Sequence, residues 1–507
     1  MALAKVWSVA LLGLRGEIVD VEVDISDGLP GYSLLGLPDA ALQESRERVR
    51  SALQNSGAQW PNKRVTVSLS PAWLQKSGSS FDLPIALALL IAQGVIPQER
   101  LDGQVILGEL ALDGSLRAIR GVLPALLSAH RHGISSAIVP LGNRVEARGV
   151  EGVKTLAFTD LHQLLDFIKN GALPEYEELP PEPAISHDLD LSEVAGQRSA
   201  RTALEISAIG GHHLLLVGPP GTGKTMLAER LPTLIPPLTQ SAAIETAAIH
   251  SIAAAMVDRP LLSRTPPFVA PHHTTTATAM IGGGAHFIRP GACSLAHGGV
   301  LFIDEAPECN PGVLDALRQP LESGEVAISR VTGIIRFPAD FLLVLAANPC
   351  PCGRFSGKGR ACTCSSLQIR RYLQRLSGPL LDRIDIRSHV DAPSRADLAA
   401  SEPGESSLEV RSRVIAARET ALARFKGETW SLNSRIPASK LRERYRVKRE
   451  GVAFLHSELD HERLSARGYH KVLRLAWSIA DRNGVSAPGL AEVESAYQLR
   501  QGIDSQP

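Results

Sequence analysis

The stretch Gly218-Pro-Pro-Gly-Thr-Gly-Lys224-Thr225 fits the pattern G-x-x-x-x-G-K-[ST] at every position. Its chemistry is phosphate binding. Glycines let successive backbone N–H groups close around an anion, the lysine reaches the β- and γ-phosphates, and the hydroxyl can ligate Mg2+. The apolar run Leu214 to Val217 before it and the helical stretch Met226 to Leu231 after it supply the strand and the helix N-terminus that such a cradle needs. Gly218, Pro219, Pro220, Gly221, Thr222, Gly223, Lys224 and Thr225 are therefore the nucleotide-binding candidates, with ATP and Mg2+ the implied ligands. A second apolar run, Val300 to Ile303, ends in Asp304-Glu305, 80 residues beyond Lys224. Asp304 belongs with Thr225 on the Mg2+ shell, and Glu305 orients or polarises the attacking water. A third run, Phe341 to Ala347, ends at Asn348, placed to hydrogen-bond the γ-phosphate or the lytic water. Three buried strands with polar carboxyl ends predict a parallel α/β sheet with its ligand at the strand ends.

Other reactive residues adjoin these strands. Between Asn348 and Leu381 there is no acid but there are six cations: Arg354, Lys358, Arg360, Arg370, Arg371 and Arg375. A solvated charge run is the plain explanation. Ser356, Gly357 and Gly359 make the segment loop-like, however, so Arg354, Lys358 and Arg360 are candidates for contacts with nucleic-acid phosphates. In the same loop Cys350-x-Cys352 and Cys362-x-Cys364 are separated by nine residues. Four thiolates suit tetrahedral Zn2+, although C-x-C is tighter than the usual C-x2–4-C knuckle, and unliganded thiols stay open. Cys293 and Cys309 read as isolated, buried or half-buried residues. Residues 324–338 show two β-prone arms around Arg330-Val-Thr-Gly333, a hairpin just before the third strand. His272 and His273 sit in a loop, and their spacing supports neither a metal site nor another role.

The elements that must position these residues lie in a chain of 507, enough for about three domains. Hydrophobic residues at 44% and charged residues at 21% are ordinary globular proportions and exclude general disorder. The 53 cations balance 53 acids, so any polyanion must be held by local patches. Aromatics at 4% argue against base stacking as the main binding mode. No run approaches the ~20 apolar residues of a membrane span. The short apolar stretch from Val6 to Leu14 is ended by Arg15 and Glu17 with no cleavage pattern, so no signal peptide and no membrane partner are expected. Six cysteines are too few for a disulfide scaffold, and a reduced, cytoplasmic setting is expected. Residues 171–190 contain four prolines, six acids and no Lys or Arg, which reads as a stiff acidic linker. The chain thus divides into 1–170, a linker 171–187, a nucleotide-handling core 188–393 and a C-terminal region 394–507. In the last, 408–430 and 463–482 carry helical periodicity, with Leu464, Val472, Leu475 and Ile479 along one side.

The strings PFVAPHHTTT, MIGGG, LAHGGVLFIDEAPE, AANPCPCG, CTC and SGPLLDRIDI resemble the ComM/YifB subfamily of the magnesium-chelatase group of AAA+ ATPases, and the likeness covers nearly the whole chain. The resemblance implies an α/β protein with three parts: an N-terminal Lon-protease-like (ribosomal S5 domain 2-like) α+β domain, a central AAA+ P-loop domain and a C-terminal helical lid. It implies a hexameric ring with ATP bound between subunits. In such a ring Arg383 matches the arginine finger that enters the neighbour's site, and Arg467 matches the sensor-2 arginine of the lid. A salt bridge from Arg383 to Asp382 or Asp385, and Arg474 in place of Arg467, are the alternatives. The hairpin resembles the pre-sensor-1 hairpin of MCM-type helicases, which implies that Arg330 points into the pore; a plain exposed turn arginine is the alternative.

Residues 1–170 resemble the Lon domain in two segments. Gly78 to Ala88 falls where Lon has its nucleophile, with Ser80 in that place. Gly108 to Gly133 matches the segment that supplies the catalytic lysine, and Leu123 stands there. No lysine occurs between Lys76 and Lys154, and a serine without a base is a poor nucleophile. Phe81-Asp82 also replaces the small residues that would let a substrate approach. The region is expected to be inactive as a peptidase. The function implied is an ATP-driven DNA translocase or helicase that promotes branch migration during recombination of incoming DNA, in natural transformation, on single-stranded or branched DNA. Its rivals are a chelatase-type motor that remodels a partner protein, an ATP-dependent protease, and a clamp that uses ATP only to assemble.

Overall fold

The computed structural model of the chain describes residues 2–76, 78–171, 173–176, 189–253, 262–284, 287–330, 333–355, 362–395, 397 and 404–502. Lys358, Arg360 and most of the acidic segment 171–187 lie outside the described residues.

The nucleotide motif sits in a five-stranded parallel sheet. From one edge the strands are Phe268–Val269, Val300–Ile303, Leu342–Ala347, Leu214–Val217 and Ile386–His389. Both faces are buried, which is why its strands read as unbroken apolar runs and not as alternating ones. Leu214, Leu216, Phe302, Val344 and Ile386 face one core, whereas Leu215, Leu301, Ile303, Leu343 and Leu345 face another. The first core is filled by the helices Arg198–Gly210, Lys224–Leu234, Ser407–Arg424 and Ala466–Asn483. The C-terminal helices therefore share one core with the sheet.

The helical periodicity of the C-terminal region appears as Ser407–Arg424 and Ala466–Asn483. The first is opened by a capping box of Ser406 and Glu409, the second by Ser465, whose hydroxyl accepts from the Gly468 N–H at 3.1 Å. Among the described residues no helix is long and apolar enough to cross a membrane.

The N-terminal region is a seven-stranded mixed sheet, ordered Gly31–Leu35, Arg64–Ser70, Arg15–Ser26, Ala2–Leu12, Gln104–Ile106, Ser136–Pro140 and Lys154–Phe158. Along Arg15–Ser26 the residues Val19, Val21 and Val23 alternate inward, the period-2 signature of a strand with one face in the core. The apolar helix Asp82–Ala92 lies against this sheet. A second core cluster joins the region to the nucleotide-motif core: Val122, Leu123 and Leu126 pack with Ala247 and Ala248 of the helix Gln240–Ala253.

One buried ion pair fixes the lid to the sheet. Lys471 Nζ lies 2.6 Å from Asp385 Oδ1, and both residues are buried. Burial alone would raise the Asp385 carboxyl, but Lys471 and the neighbouring His212 hold it well below the usual carboxylate range. A depressed carboxylate contributes stability that is present above its unfolded pKa and is lost as pH falls through its folded pKa. Stability should therefore fall below about pH 4, the ordinary aspartate value, and fall less steeply in Asp385→Asn. Breaking such a pair costs about 3–5 kcal/mol, because it strands a buried charge. Lys471→Met should show that loss in urea denaturation at neutral pH, and adding Asp385→Asn should return part of it. A Lys471→Met protein as stable as the wild type would remove this contact from the lid's attachment.

Candidate functional site

The carboxyl ends of the parallel strands bring the expected residues together. Gly218 follows the Leu214–Val217 strand and is confined by its neighbours. Its N–H donates to the Ala347 carbonyl at 3.1 Å, and a Cβ there would lie 2.1 Å from the Val390 oxygen. Only glycine passes. Gly221 and Gly223 have φ of +76° and +89°, the left-handed region open to glycine, and their missing Cβ atoms would meet nothing within 4 Å. Lys224 opens the following helix, and its ammonium donates to the carbonyls of Gly218 (2.7 Å) and Pro219 (2.9 Å) and to Asn348 Oδ1 (3.1 Å). Burial lowers the pKa of this lysine, and the charges of Asp304 and Glu305 oppose that shift. Thr222 Oγ1 donates to the Pro219 carbonyl at 2.9 Å.

Thr225 Oγ1 donates to Asp304 Oδ2 at 3.0 Å, so two oxygens converge as a hard cation requires. The donor set fits Mg2+, which Thr225 and Asp304 would hold beside the phosphates gathered by Lys224. Asp304 Oδ1 accepts from the Glu305 N–H at 2.8 Å. Glu305 itself is held at φ +47°, a conformation that costs on the order of 1–3 kcal/mol for a non-glycine residue and collects at functional sites.

Two further residues bear on this site: His273, which sequence reasoning named without a role, and Gln197, which it missed. His273 Nδ1 lies 3.6 Å from Glu305 Oε2, with its ring 4.0 Å from that of His272. His273 follows the edge strand Phe268–Val269, so the strand-end rule points to it; two residues are too short a strand to recognise by pattern. Gln197, at φ +58°, braces the cradle from outside by donating to the carbonyls of Thr222 (2.7 Å) and Asp391 (2.8 Å).

The four clustered cysteines do converge. Their sulfurs all lie within 4.8 Å of one another, with Cys350 to Cys352 at 3.3 Å and Cys362 at 3.7 Å from both. The Arg354 backbone N–H, foremost, and the Cys350 thiol draw the Cys352 thiol down to about 6. Cys293 and Cys309 are buried elsewhere, and burial pushes the Cys293 thiol up to about 12.

The remaining candidates are spread out. Arg383 pairs with Glu322, not with Asp382 or Asp385, and its guanidinium also donates to the Pro379 carbonyl at 2.6 Å. The hollow that it lines is formed with Asp315, Gln319 and Ser323 and contains no cradle residue. Arg467 is exposed and donates to Asp382 at 2.7 Å, while Arg474 is committed to the Ile436 carbonyl at 2.8 Å. The hairpin forms as Glu325–Arg330 and Gly333–Pro338, with Arg330 opposite Gly333. Arg330 is exposed, donates to the Gly284 carbonyl at 2.7 Å and has no acidic partner among the described residues. Arg354 is exposed as well.

In the N-terminal region Ser80 lines a cavity of about 440 Å3 together with Ser79, Glu109, Arg120 and Phe287. No lysine lines it. Ser79 donates to Glu109, Leu123 is fully buried, and Lys76 is buried with its ammonium on the Pro71 carbonyl. Asp82 is buried against Arg48 at 2.7 Å; burial, foremost, pushes its carboxyl up to about 6 although Arg48 draws it down.

Against known families, "Magnesium chelatase, subunit ChlI" matches residues 190–398, "Subunit ChlI of Mg-chelatase" matches 21–143 and "Magnesium chelatase, subunit ChlI C-terminal" matches 404–500. The chain is 47% identical over 507 residues to an uncharacterized protein of Mycobacterium tuberculosis, with 99% of each covered. It is 43% identical over 485 residues to the uncharacterized protein YifB of Escherichia coli, covering 95% of this chain and 94% of that one. It is 41% identical over 502 residues to the competence protein ComM of Haemophilus influenzae, covering 97% of each. The likeness to Lon is partial: a Lon protease of Mycolicibacterium smegmatis is 26% identical over 178 residues, 33% of this chain and 22% of that protein.

The strained carboxylate beside Asp304 makes one expectation sharp. Glu305→Gln keeps every phosphate contact but can no longer polarise water, so it should bind a fluorescent ATP analogue as the wild type does. Its hydrolysis, read as phosphate release, should fall by about 10²–10⁴-fold. A near wild-type rate would take Glu305 out of the reaction.

Proposed function

Since the chain belongs to the ComM/YifB subfamily of magnesium-chelatase-like AAA+ proteins, we propose that it is an ATP-hydrolysing motor that translocates on DNA as a hexameric ring. In this reading it promotes branch migration when incoming DNA is recombined, acting in the cytoplasm on single-stranded or branched DNA. The observation that carries the DNA reading is Arg330. It is an exposed cation at the end of a hairpin arm whose other arm leads directly into the strand that ends at Asn348. A phosphate gripped there is mechanically one strand away from Lys224. Arg354, exposed just beyond that strand, adds a second cation on the same path.

Hydrolysis in this reading is chiefly electrostatic. Lys224 exchanges its carbonyl contacts for the β- and γ-phosphate oxygens, and Asn348, already within 3.1 Å of its ammonium, orients the γ-phosphate or the water. Thr225 and Asp304 would hold Mg2+, which would supply charge neutralisation at the phosphates. Glu305 orients the water, and His273, 3.6 Å away, is placed to hold that carboxylate. Arg383 leaves Glu322 to reach the neighbouring subunit's γ-phosphate, and Arg467 follows the lid. The four thiols hold one Zn2+. The N-terminal region contributes no peptidase, since its serines face a glutamate and no lysine lines their cavity.

Two experiments test this. DNA should raise ATP turnover of the purified ring, with the stimulation collapsing as salt rises, because each neutralised phosphate releases counterion. Arg330→Ala should lose most of that stimulation and keep basal turnover. Turnover indifferent to single-stranded, duplex and branched DNA at low salt would defeat the DNA reading and favour a motor that acts on a partner protein. For the finger, Arg383→Ala and Lys224→Ala subunits, each inactive alone, should regain hydrolysis when mixed, once exchange of labelled subunits has been verified. No recovery despite exchange would place Arg383 in its own subunit's chemistry.

A further inference from the structure

The four-cysteine cluster does not hang from the surface as an independent knuckle. It begins two residues beyond Asn348, whose side chain meets Lys224 at 3.1 Å. Cys350 is fully buried, and its carbonyl accepts the Gly353 N–H at 3.0 Å, closing a tight turn with Gly353 at φ +72°. That turn lies against the phosphate cradle. A Cβ at Gly353 would come within 2.6 Å of both Cγ and Cδ of Pro220. Cysteine turn and cradle are in van der Waals contact with no room for a methyl group.

The sulfurs are arranged for a tetrahedral ion. A zinc ion with Zn–S of about 2.3 Å sets its sulfurs about 3.8 Å apart at the edges of the tetrahedron. Three of the six separations are 3.3, 3.7 and 3.7 Å, and all fall within 4.8 Å. None is near the 2.05 Å of a disulfide. Four thiols gathered this closely gain little from one another, whereas an ion that takes four thiolates and releases their protons would fix the turn.

We propose that these four cysteines form a zinc site that is part of the wall of the ATP cradle, so that metal binding sets nucleotide affinity. The ion fixes the Cys350–Gly353 turn, the turn seats Gly353 on Pro220, and the same segment holds Asn348 against Lys224. Without the ion both supports loosen together. The coupling rests on the reading of Lys224 and Asn348 as the nucleotide site, and the test keeps the two apart.

The full-length protein, purified without added metal, should contain one zinc per chain by elemental analysis. Stripping the metal with a thiol-directed mercurial and a chelator, followed by thiol reduction, should weaken binding of a fluorescent, non-hydrolysable ATP analogue at least 10-fold. Adding zinc back should restore it. Cys352→Ser should reproduce the stripped state. Gly353→Ala leaves all four thiols in place and adds a single methyl group, so it should retain the zinc yet weaken nucleotide binding several-fold by pushing on Pro220; this variant answers the question even where the cysteine variant fails to fold. Sub-stoichiometric zinc in the wild type, or zinc loss with unchanged nucleotide affinity, overturns the proposal. Lys224→Ala should keep its zinc and lose the nucleotide; if it binds nucleotide normally, the cradle reading falls and the coupling falls with it.

Discussion

A lysine ammonium that is largely removed from water must be met by oxygen, and the Lys224 contacts organise the centre of the molecule. Its three acceptors come from two places in the chain: the Gly218 and Pro219 carbonyls from the cradle, and the Asn348 amide from the end of the next strand. That geometry requires the Leu214–Val217 and Leu342–Ala347 strands to be parallel, adjacent and in register, which the pairing of Val217 with Ala347 provides. It also requires Gly218, since any side chain there would strike the Val390 carbonyl on the other flank. The adjacent Thr225–Asp304 contact draws in the next strand. One cation and one hydroxyl thus bring together the ends of three strands that lie far apart in sequence, as ligand binding at the carboxyl edge of a parallel sheet demands.

The segment 382–385 works the same way at the sheet's far side. Asp382 takes Arg467 and Asp385 takes Lys471, both from the lid helix Ala466–Asn483, whereas Arg383 between them turns to Glu322. Glu322 belongs to the helix Arg318–Ser323, and Gly324 then leads straight into the hairpin arm that carries Arg330. Finger and lid candidates therefore meet within four consecutive residues, and the helix that precedes the hairpin meets Arg383 there. In the proposed reading, drawing Arg383 toward a neighbouring subunit releases the helix that feeds the hairpin. Arg383 Nε is buried without a hydrogen-bond partner, while its two terminal nitrogens hold Glu322 and the Pro379 carbonyl.

The residues whose environment is set by their immediate neighbours were legible in the sequence. Leu214–Val217 and Val300–Ile303 were read to their last residue and the Asn348 strand to within one, because a strand buried on both faces is a plain apolar run with polar bounds. The two arms of the hairpin were read as readily. What escaped were pairings across long sequence separations, which leave no periodic trace. Glu322 lies 61 residues from Arg383 and was not considered; Asp382 and Asp385 beside it were. His273 follows a strand of two residues, too short to mark. Gly353 was not singled out within the loop-like basic segment, because nothing local reveals that Pro220 lies against it. The cysteine cluster was visible as spacing, but its closeness to the cradle was not.

The same separation of local from distant information bears on the N-terminal region. Its likeness to Lon is partial, and its own residues do not say what it is for; its contacts show what it is packed against. Leu11 and Leu14 pack into the core beneath the hairpin, and a Cβ on Gly13, at φ +63°, would lie 2.9 Å from Ile335 and 3.2 Å from the Arg336 carbonyl on the hairpin's second arm. On another side Glu146, half-buried, accepts from the Leu123 N–H at 2.8 Å and from Ser251 of the nucleotide-handling core. The start of the helix Val122–Arg131 is thus tied through Glu146 to the helix Gln240–Ala253. Under the proposed reading, in which Leu123 stands in the place of a catalytic lysine, a fixed apolar joint and a mobile, ionisable lysine cannot share those residues. These contacts seat the N-terminal region against the second arm of the hairpin that carries Arg330 and against the core helix Gln240–Ala253.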